Sequence, residues 1–302
     1  MQRRRPKVRP DILVAGANGV LGQKLIALLG PERAAAGTRH KDWNAGPFEH
    51  VSLLNDAALN EIHWQRFRVV INAAVRVRGS LQELTDANVI FPVKLARAAR
   101  TGNVMKFIQF GSFAVYGFPE FIDIHTPELP ASYYGRTKAE GDRQLTALST
   151  KSFEVASVRF PFLFDAQHPA LFAQLFRLIK FLPVLPVSSG PTERSMITYT
   201  DAARTLIFVA ESAHSGILHS AAPRLFDFEL LTKMLRDEAK LRLRTVPLPN
   251  VIVDMVRLTA PTIHRRIFQS SVLCPDFNIA TNNTELEGIV TSLQQVVRNY
   301  FR

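Results

Sequence analysis

A single cysteine, Cys274, stands in a chain of 302 residues, so no internal disulfide can form. The eight histidines are scattered and add no zinc-ligand spacing to that one thiol. The closest pair of note, His214 and His219, is five residues apart and falls off a common helical face. No metal is expected. Also missing is any apolar run of the roughly 18 residues that a membrane span needs. The basic start Arg3-Arg4-Arg5-Pro6-Lys7-Val8-Arg9 does not lead into a signal-peptide core, because the short apolar run that follows is soon broken by glycines. These gaps predict a cytoplasmic protein. Acidic residues are the scarcer sign: 26 against 37 Lys and Arg leave a net charge of +11. Such a field steers an anionic small molecule without implying nucleic-acid binding, and residues 1–10 read as a solvated basic arm.

What the chain does have is a core's worth of apolar residues, 47% of the total. It is organised around residues 11–29. There Asp11-Ile-Leu-Val-Ala15 runs into Gly16-Ala-Asn-Gly19-Val-Leu-Gly22, and Leu21, Leu25, Ile26 and Leu29 then recur at helical spacing. The pattern is strand, tight turn, helix. A dinucleotide pyrophosphate needs a turn its oxygens can approach closely and a helix N-terminus whose free N–H groups favour negative charge. Gly16, Asn18, Gly19, Val20, Leu21 and Gly22 are therefore the expected phosphate cradle. A kinase-type P-loop is not expected, since Gln23 stands where Lys-Ser/Thr would be required.

Further apolar runs at Arg33–Thr38, His50–Leu54, Arg68–Ala74, Met105–Ser112 and Phe153–Phe162 alternate with helical patterns, which predicts a parallel sheet covered by helices on both faces. Ligands of such sheets sit at the carboxyl ends of the strands. The second strand ends in Arg39-His40-Lys41, where an acid would select NAD by binding its ribose hydroxyls; the cations there predict NADP, with Arg39 on the 2′-phosphate and NAD as the other option. Ala73 and Ala74 after the fourth strand are small enough for a cofactor to lie close. Asn88, a poor helix former in the centre of the helical stretch Leu81–Arg100, is expected to make a functional hydrogen bond.

The reaction class follows from Ser112, at the end of the fifth strand, and from Tyr134 and Lys138, four residues apart on one helical face. A phenol is a poor acid–base catalyst at neutral pH until a neighbouring ammonium stabilises its anion. Tyr134 then becomes a proton donor to a carbonyl, with Ser112 holding the same oxygen. Tyr133 has Thr137 four residues on and gains no such partner.

These residues together resemble the extended short-chain dehydrogenase/reductases, the NAD-dependent epimerase/dehydratase group. The resemblance runs nearly end to end, through Gly16, Gly19 and Gly22, Asn72-Ala-Ala, Asn88, Ser112-Phe-Ala-Val-Tyr-Gly, Tyr134 with Lys138, and Arg194-Ser-Met-Ile-Thr-Tyr-Thr-Asp201. It implies a Rossmann-type doubly wound α/β fold with two interwoven domains: 11–162 plus 195–215 for the dinucleotide, 163–194 plus 216–302 for the substrate. It also implies that Lys138 and Tyr134 touch the cofactor's nicotinamide ribose, that Ser112 and Phe113 touch substrate, and that Arg194 binds a nucleotide-sugar diphosphate. A homodimer through the helices of Asn88 and Tyr134 is expected, with Leu81, Leu84, Phe91 and Leu95 as its apolar positions.

Three departures narrow the expectation. Ser52 replaces the aspartate usual after the third strand. Phe113-Ala114 stands where dehydratases carry Asp-Glu, which disfavours water elimination. Arg159-Phe-Pro-Phe-Leu-Phe-Asp165 lacks the usual Gly-Pro ending and has Phe162 in place of asparagine. The reading is a 4-keto reductase of a nucleotide sugar using NADPH. Its alternatives are a 4-epimerase, a reductase of a non-nucleotide ketone suggested by the apolar Phe160–Phe164 stretch, and a non-catalytic dinucleotide-binding scaffold.

Overall fold

The computed structural model describes residues 10–169, 171–181, 184–187, 192–259, 269–282 and 286–301. The basic arm lies outside these residues but for Pro10, as do Pro183, residues 188–191 and Thr284. In chain order the main elements are β1 (Ile12–Ala15), α1 (Val20–Leu29), β2 (Ala34–Thr38), β3 (Glu49–Ser52), α2 (Asp56–Asn60), β4 (Val69–Asn72), α3 (Leu81–Thr85), a π-helical turn (Asp86–Ile90), α4 (Phe91–Thr101), β5 (Lys106–Ser112), β6 (Phe121–Ile122) and α5 (Tyr133–Thr146). They continue as β7 (Glu154–Phe160), β8 (Phe162–Phe164), α6 (Leu171–Phe181), β9 (Val184–Val187), β10 (Met196–Thr198), α7 (Tyr199–Glu211), β11 (Gly216–His219), α8 (Phe228–Ala239), β12 (Arg244–Pro247), α9 (Asn250–Thr259), β13 (Val272–Leu273) and a last helix, Ile289–Phe301.

A seven-stranded sheet in the order β11-β7-β5-β4-β1-β2-β3 forms the centre of the first unit, which comprises residues 1–115, 130–159 and 202–218. Pairings from β3 through β5 are parallel. β1, β2 and β4 are buried at every position, as strands of a sheet covered on both faces must be. The order reverses between β1 and β4, and that switch point is where a doubly wound sheet opens a crevice for ligand. One core, with Leu13, Val70, Leu95, Phe107 and Val155, lies under the helices of this unit.

The expected strands are present with their ends shifted by one or two residues, β3 starting at Glu49, one residue earlier than expected. The Phe153–Phe162 run is divided, because Pro161 cannot donate to the ladder and the chain restarts as β8. β11, four residues long and half-exposed, completes the sheet and was not among the runs picked out. The helical stretch from Leu81 is interrupted by the π turn that carries Asn88. Its apolar positions also need correcting: Leu84 and Leu95 are 3% and 0% exposed, Leu95 packing into the core with the strands and Leu84 lying on a helix set against α5, and only Leu81 of the expected dimer positions is well exposed, at 48%.

The second unit, residues 116–129, 160–201 and 219–302, has its own core of Phe164, Phe172, Phe176, Leu231 and Leu293. Its strands form three two-stranded sheets, β8 with β10, β9 with β12 and β6 with β13. The last pairing draws residues 116–129 into this unit, whereas the sequence reading assigns them to the dinucleotide domain. Among the described residues no helix is long and apolar enough to cross a membrane, and no cluster of three metal-ligating side chains occurs.

Candidate active site

At the end of β1 the chain turns at Gly16, whose φ of +78° lies in the region L side chains rarely adopt. A Cβ there would stand 2.6 Å from the Ala74 nitrogen, so the turn closes over the end of β4 only as glycine. Gly22 is bound more tightly still: its Cβ would lie 2.1 Å from the Gly16 carbonyl oxygen. Gly19, by contrast, would meet only that carbonyl, at 3.3 Å, which leaves the front of the turn accessible to a ligand's oxygens. α1 starts at Gly19 with no side-chain cap and no acid in its first turn, so its leading N–H groups suit an anion. Asn18 braces the turn by accepting from the Thr38 hydroxyl at 3.3 Å. Leu21 is 5% exposed, which leaves its main chain as the part able to face a phosphate.

Beside this cradle, Arg39 is exposed and its guanidinium carbon lies 4.9 Å above the Phe91 ring. Arg39, Leu53, Leu54, Ile90, Phe91 and Lys94 line one pocket. Lys94 is held there by Asp56 at 2.9 Å, while Arg39 stacks on Phe91. On the other side of β1, Asn72 donates to Gln109 at 2.8 Å and accepts from the Ala74 nitrogen at 3.2 Å, which shapes the Ala73-Ala74 turn.

Asn88 spends its amide within the protein. It accepts from the Arg76 nitrogen at 3.0 Å, donates to the Arg76 carbonyl at 2.9 Å and reaches the Thr137 hydroxyl at 3.1 Å. It therefore ties the loop after β4 to α5. The π turn suits that task, since its wider coil presents the Asn88 carbonyl to α5, where a Cβ on Gly141 would lie 2.4 Å from it.

α5 carries Tyr134 and Lys138. Ser132 caps its start, accepting from the Gly135 nitrogen at 3.1 Å. Gly135 lets the first turn press against the segment after Ser112: a Cβ would sit 2.3 Å from the Ala114 carbonyl oxygen. The Ser112 hydroxyl accepts from the Ala114 nitrogen at 3.2 Å, which orients it at the end of β5. Lys138 is 1% exposed and its Nζ donates to the Phe110 carbonyl, two residues before Ser112. Burial pushes its ammonium down to about 8, with Arg159 adding to the fall and Asp142 opposing it. Tyr133, by contrast, is 54% exposed and lies under the Arg136 guanidinium at 5.6 Å.

In the second unit, Arg194 pairs through its main chain with Phe226 in both directions at 2.8 Å, and its Nη2 donates to the Gln269 carbonyl at 2.6 Å. Burial draws its guanidinium down to about 10. Phe160 and Phe164 are 1% and 0% exposed and belong to the interior; of that apolar stretch's aromatic rings, only Phe162, at 38%, faces outward.

Sequence reasoning missed Asp142, Ser157 and Arg159, a buried charged group next to Lys138. The signals were present: an acid four residues beyond the lysine, and an arginine inside an apolar strand.

Residues 12–219 match the model of the NAD dependent epimerase/dehydratase family. Comparison with curated proteins gave no match. Among solved structures, the Bordetella bronchiseptica enzyme WbmH in complex with NAD+ is 14% identical with a TM-score of 0.71, over 96% of this chain and 98% of that one. A UDP-N-acetylglucosamine 4-epimerase from Methanobrevibacter ruminantium M1, in complex with UDP-N-acetylmuramic acid, is 16% identical with a TM-score of 0.70 over 97% of each chain. A dTDP-4-dehydrorhamnose reductase from Bacillus anthracis, in complex with NADP, is 17% identical with a TM-score of 0.67, over 96% of this chain and 98% of that one.

Proposed function

Since the chain belongs to the NAD dependent epimerase/dehydratase family, we propose that it is an NAD(P)-dependent oxidoreductase that reduces the 4-keto group of a nucleotide-activated sugar. NADPH is the proposed cofactor. The observation that carries this reading is the placement of Lys138, a buried ammonium one turn from Tyr134 that donates to the Phe110 carbonyl, two residues before Ser112 on β5.

The residues fit a dinucleotide. Gly16 and Gly22 make a turn that a Cβ at either position would fill, and α1 presents an uncapped N-terminus behind it. Arg39 is the partner proposed for the 2′-phosphate, on the pocket wall formed with Phe91. When bound, the nicotinamide supplies hydride exchange. The chain's own groups do the rest. Ser112 donates a hydrogen bond to the carbonyl oxygen, Tyr134 delivers a proton to it, and Lys138 lowers the phenol's proton affinity by standing as a cation on the same helical face. Asn88 keeps the β4 loop and α5 in register without needing to touch ligand. Arg194 is the proposed diphosphate partner, and the Methanobrevibacter and Bacillus proteins named above, whose names carry nucleotide-sugar substrates, support the substrate class by likeness of fold.

A homodimer is part of the proposal, with Leu81 and Tyr133, each about half-exposed on α3 and α5, as its apolar contacts. Sedimentation at micromolar concentration should give twice the chain mass; a monomer refutes it. For the chemistry, mass spectrometry of the small molecules that survive purification should find no tightly held NAD. A stoichiometric NAD would turn the reading to a 4-epimerase, which returns hydride to its own substrate.

A further inference from the structure

Tyr134, Lys138 and Asp142 fall at i, i+4 and i+8 on α5, so one stripe carries the proposed acid, its ammonium partner and a carboxylate. Asp142 is 2% exposed and is fully engaged: Arg159 Nε donates to Oδ2 at 2.9 Å and the Ser157 hydroxyl donates to Oδ1 at 2.6 Å. Arg159 is also 2% exposed. A buried pair of this kind stabilises a fold no better than apolar side chains of equal volume, which invites a second reason for its presence.

The geometry supplies one. The Arg159 stem lies against Gly111, where a Cβ would meet its Cγ at 2.9 Å and its Cα at 3.0 Å. Gly111 is the residue between Phe110, which accepts from Lys138, and Ser112. The Arg159 stem therefore lies beside the β5 residue that separates those two groups, and the partner of its guanidinium, Asp142, stands one turn beyond Lys138.

We propose that the buried Asp142–Arg159 pair is a positioning device for Lys138 at the Phe110 carbonyl, in which Asp142 favours the ammonium's charge and Arg159 opposes it while fixing that carboxylate in place. The proposal rests on the functional reading of Tyr134 and Lys138 given above. Asp142 supplies the negative charge that offsets burial of the ammonium. Arg159 occupies that carboxylate, so Asp142 does not draw Lys138 into a salt bridge away from Tyr134. The charged groups acting on Lys138 are thus Asp142 on its own helix and Arg159 on β7, with Tyr134 four residues before it on α5; β5 offers it the Phe110 carbonyl.

The two partners act with opposite signs, which makes the test specific. Nitrogen-15 lysine NMR follows the Nζ titration directly, with the signal assigned by its loss in Lys138→Met. In Asp142→Asn the midpoint should fall by about one unit or more, a tenfold rise in acid dissociation. In Arg159→Met it should rise by a comparable amount. Far-UV circular dichroism establishes that each variant is folded, and either variant alone decides the matter if the other does not fold. Unchanged midpoints, or shifts of the same sign, overturn the proposal. Turnover of a 4-keto nucleotide sugar should move with the titration, its basic limb falling earlier in Asp142→Asn. If the wild type turns over no such substrate, the functional reading fails while the NMR result still stands or falls on its own.

Discussion

Lys138 donates its side-chain nitrogen to the main-chain carbonyl of Phe110, inside a protein interior that leaves 1% of the residue exposed. A cation in that position is costly, and burial takes its ammonium from 10.5 down to about 8. The unfolded chain then binds more protons than the folded one between about pH 8 and 10.5. Stability relative to Lys138→Met should therefore rise with pH across that window, by roughly 3 kcal/mol in all, and be flat below it. Urea midpoints of both proteins at pH 7, 9 and 10.5 test this. Turnover should go the other way, falling as pH rises through about 8, because the neutral amine no longer stabilises the Tyr134 phenolate.

Gly22→Ala should do two things at once. Its Cβ would fall 2.1 Å from the Gly16 carbonyl oxygen, and since every atom it meets there is backbone of Gly16 and Ala17 the helix must shift. Overpacking of this kind costs about 1–3 kcal/mol. Chemical denaturation should register that loss, and fluorescence titration should show cofactor affinity falling further, because the shift opens the cradle.

Arg39→Asp removes the proposed phosphate partner and supplies a ribose acceptor in its place. One charge-assisted contact is worth roughly 1.5–3 kcal/mol. Titration with both cofactors should find the preference moved from NADPH towards NADH. An unchanged ratio places the 2′-phosphate elsewhere.

Much of the site is legible in the sequence because it is local. The Gly16–Gly22 turn, the Ser112 strand end and the Tyr134–Lys138 spacing each lie within one element, where periodicity and turn chemistry decide the structure. The rest depends on partners distant in the chain. Asp142 on α5 meets Ser157 and Arg159 on β7, and although an acid four residues past the lysine and an arginine in an apolar strand are each visible, nothing local pairs them. Asn88 is legible as an anomaly, yet its partners, Arg76 and Thr137, are visible only in three dimensions. The same limit explains Leu84 and Leu95: helical spacing identifies an apolar face without saying whether it packs within the chain or against another subunit. β11 escapes for another reason, since a four-residue edge strand with half-exposed side chains carries little apolar signal.

Arg194→Ala tests the substrate class. Its guanidinium, half-buried and held by the Gln269 carbonyl, is the proposed donor for a diphosphate. Calorimetric titration with UDP, dTDP and GDP in the presence of NADP should show one of them losing about 2–4 kcal/mol of binding in the variant, with NADP affinity unaltered. Failure of all three to bind the wild type removes the nucleotide-sugar assignment.

The most direct measurement of the central claim is deuteride transfer. Wild-type protein is given NADPH deuterated at the transferable position together with dTDP- and UDP-4-keto-hexoses, and the sugar product is analysed for label. Deuterium should appear at C4 with the wild type and with Tyr133→Phe, and be lost with Tyr134→Phe although that variant still binds NADPH. Absence of label at C4 in the wild-type product, or equal transfer by Tyr134→Phe, contradicts the account.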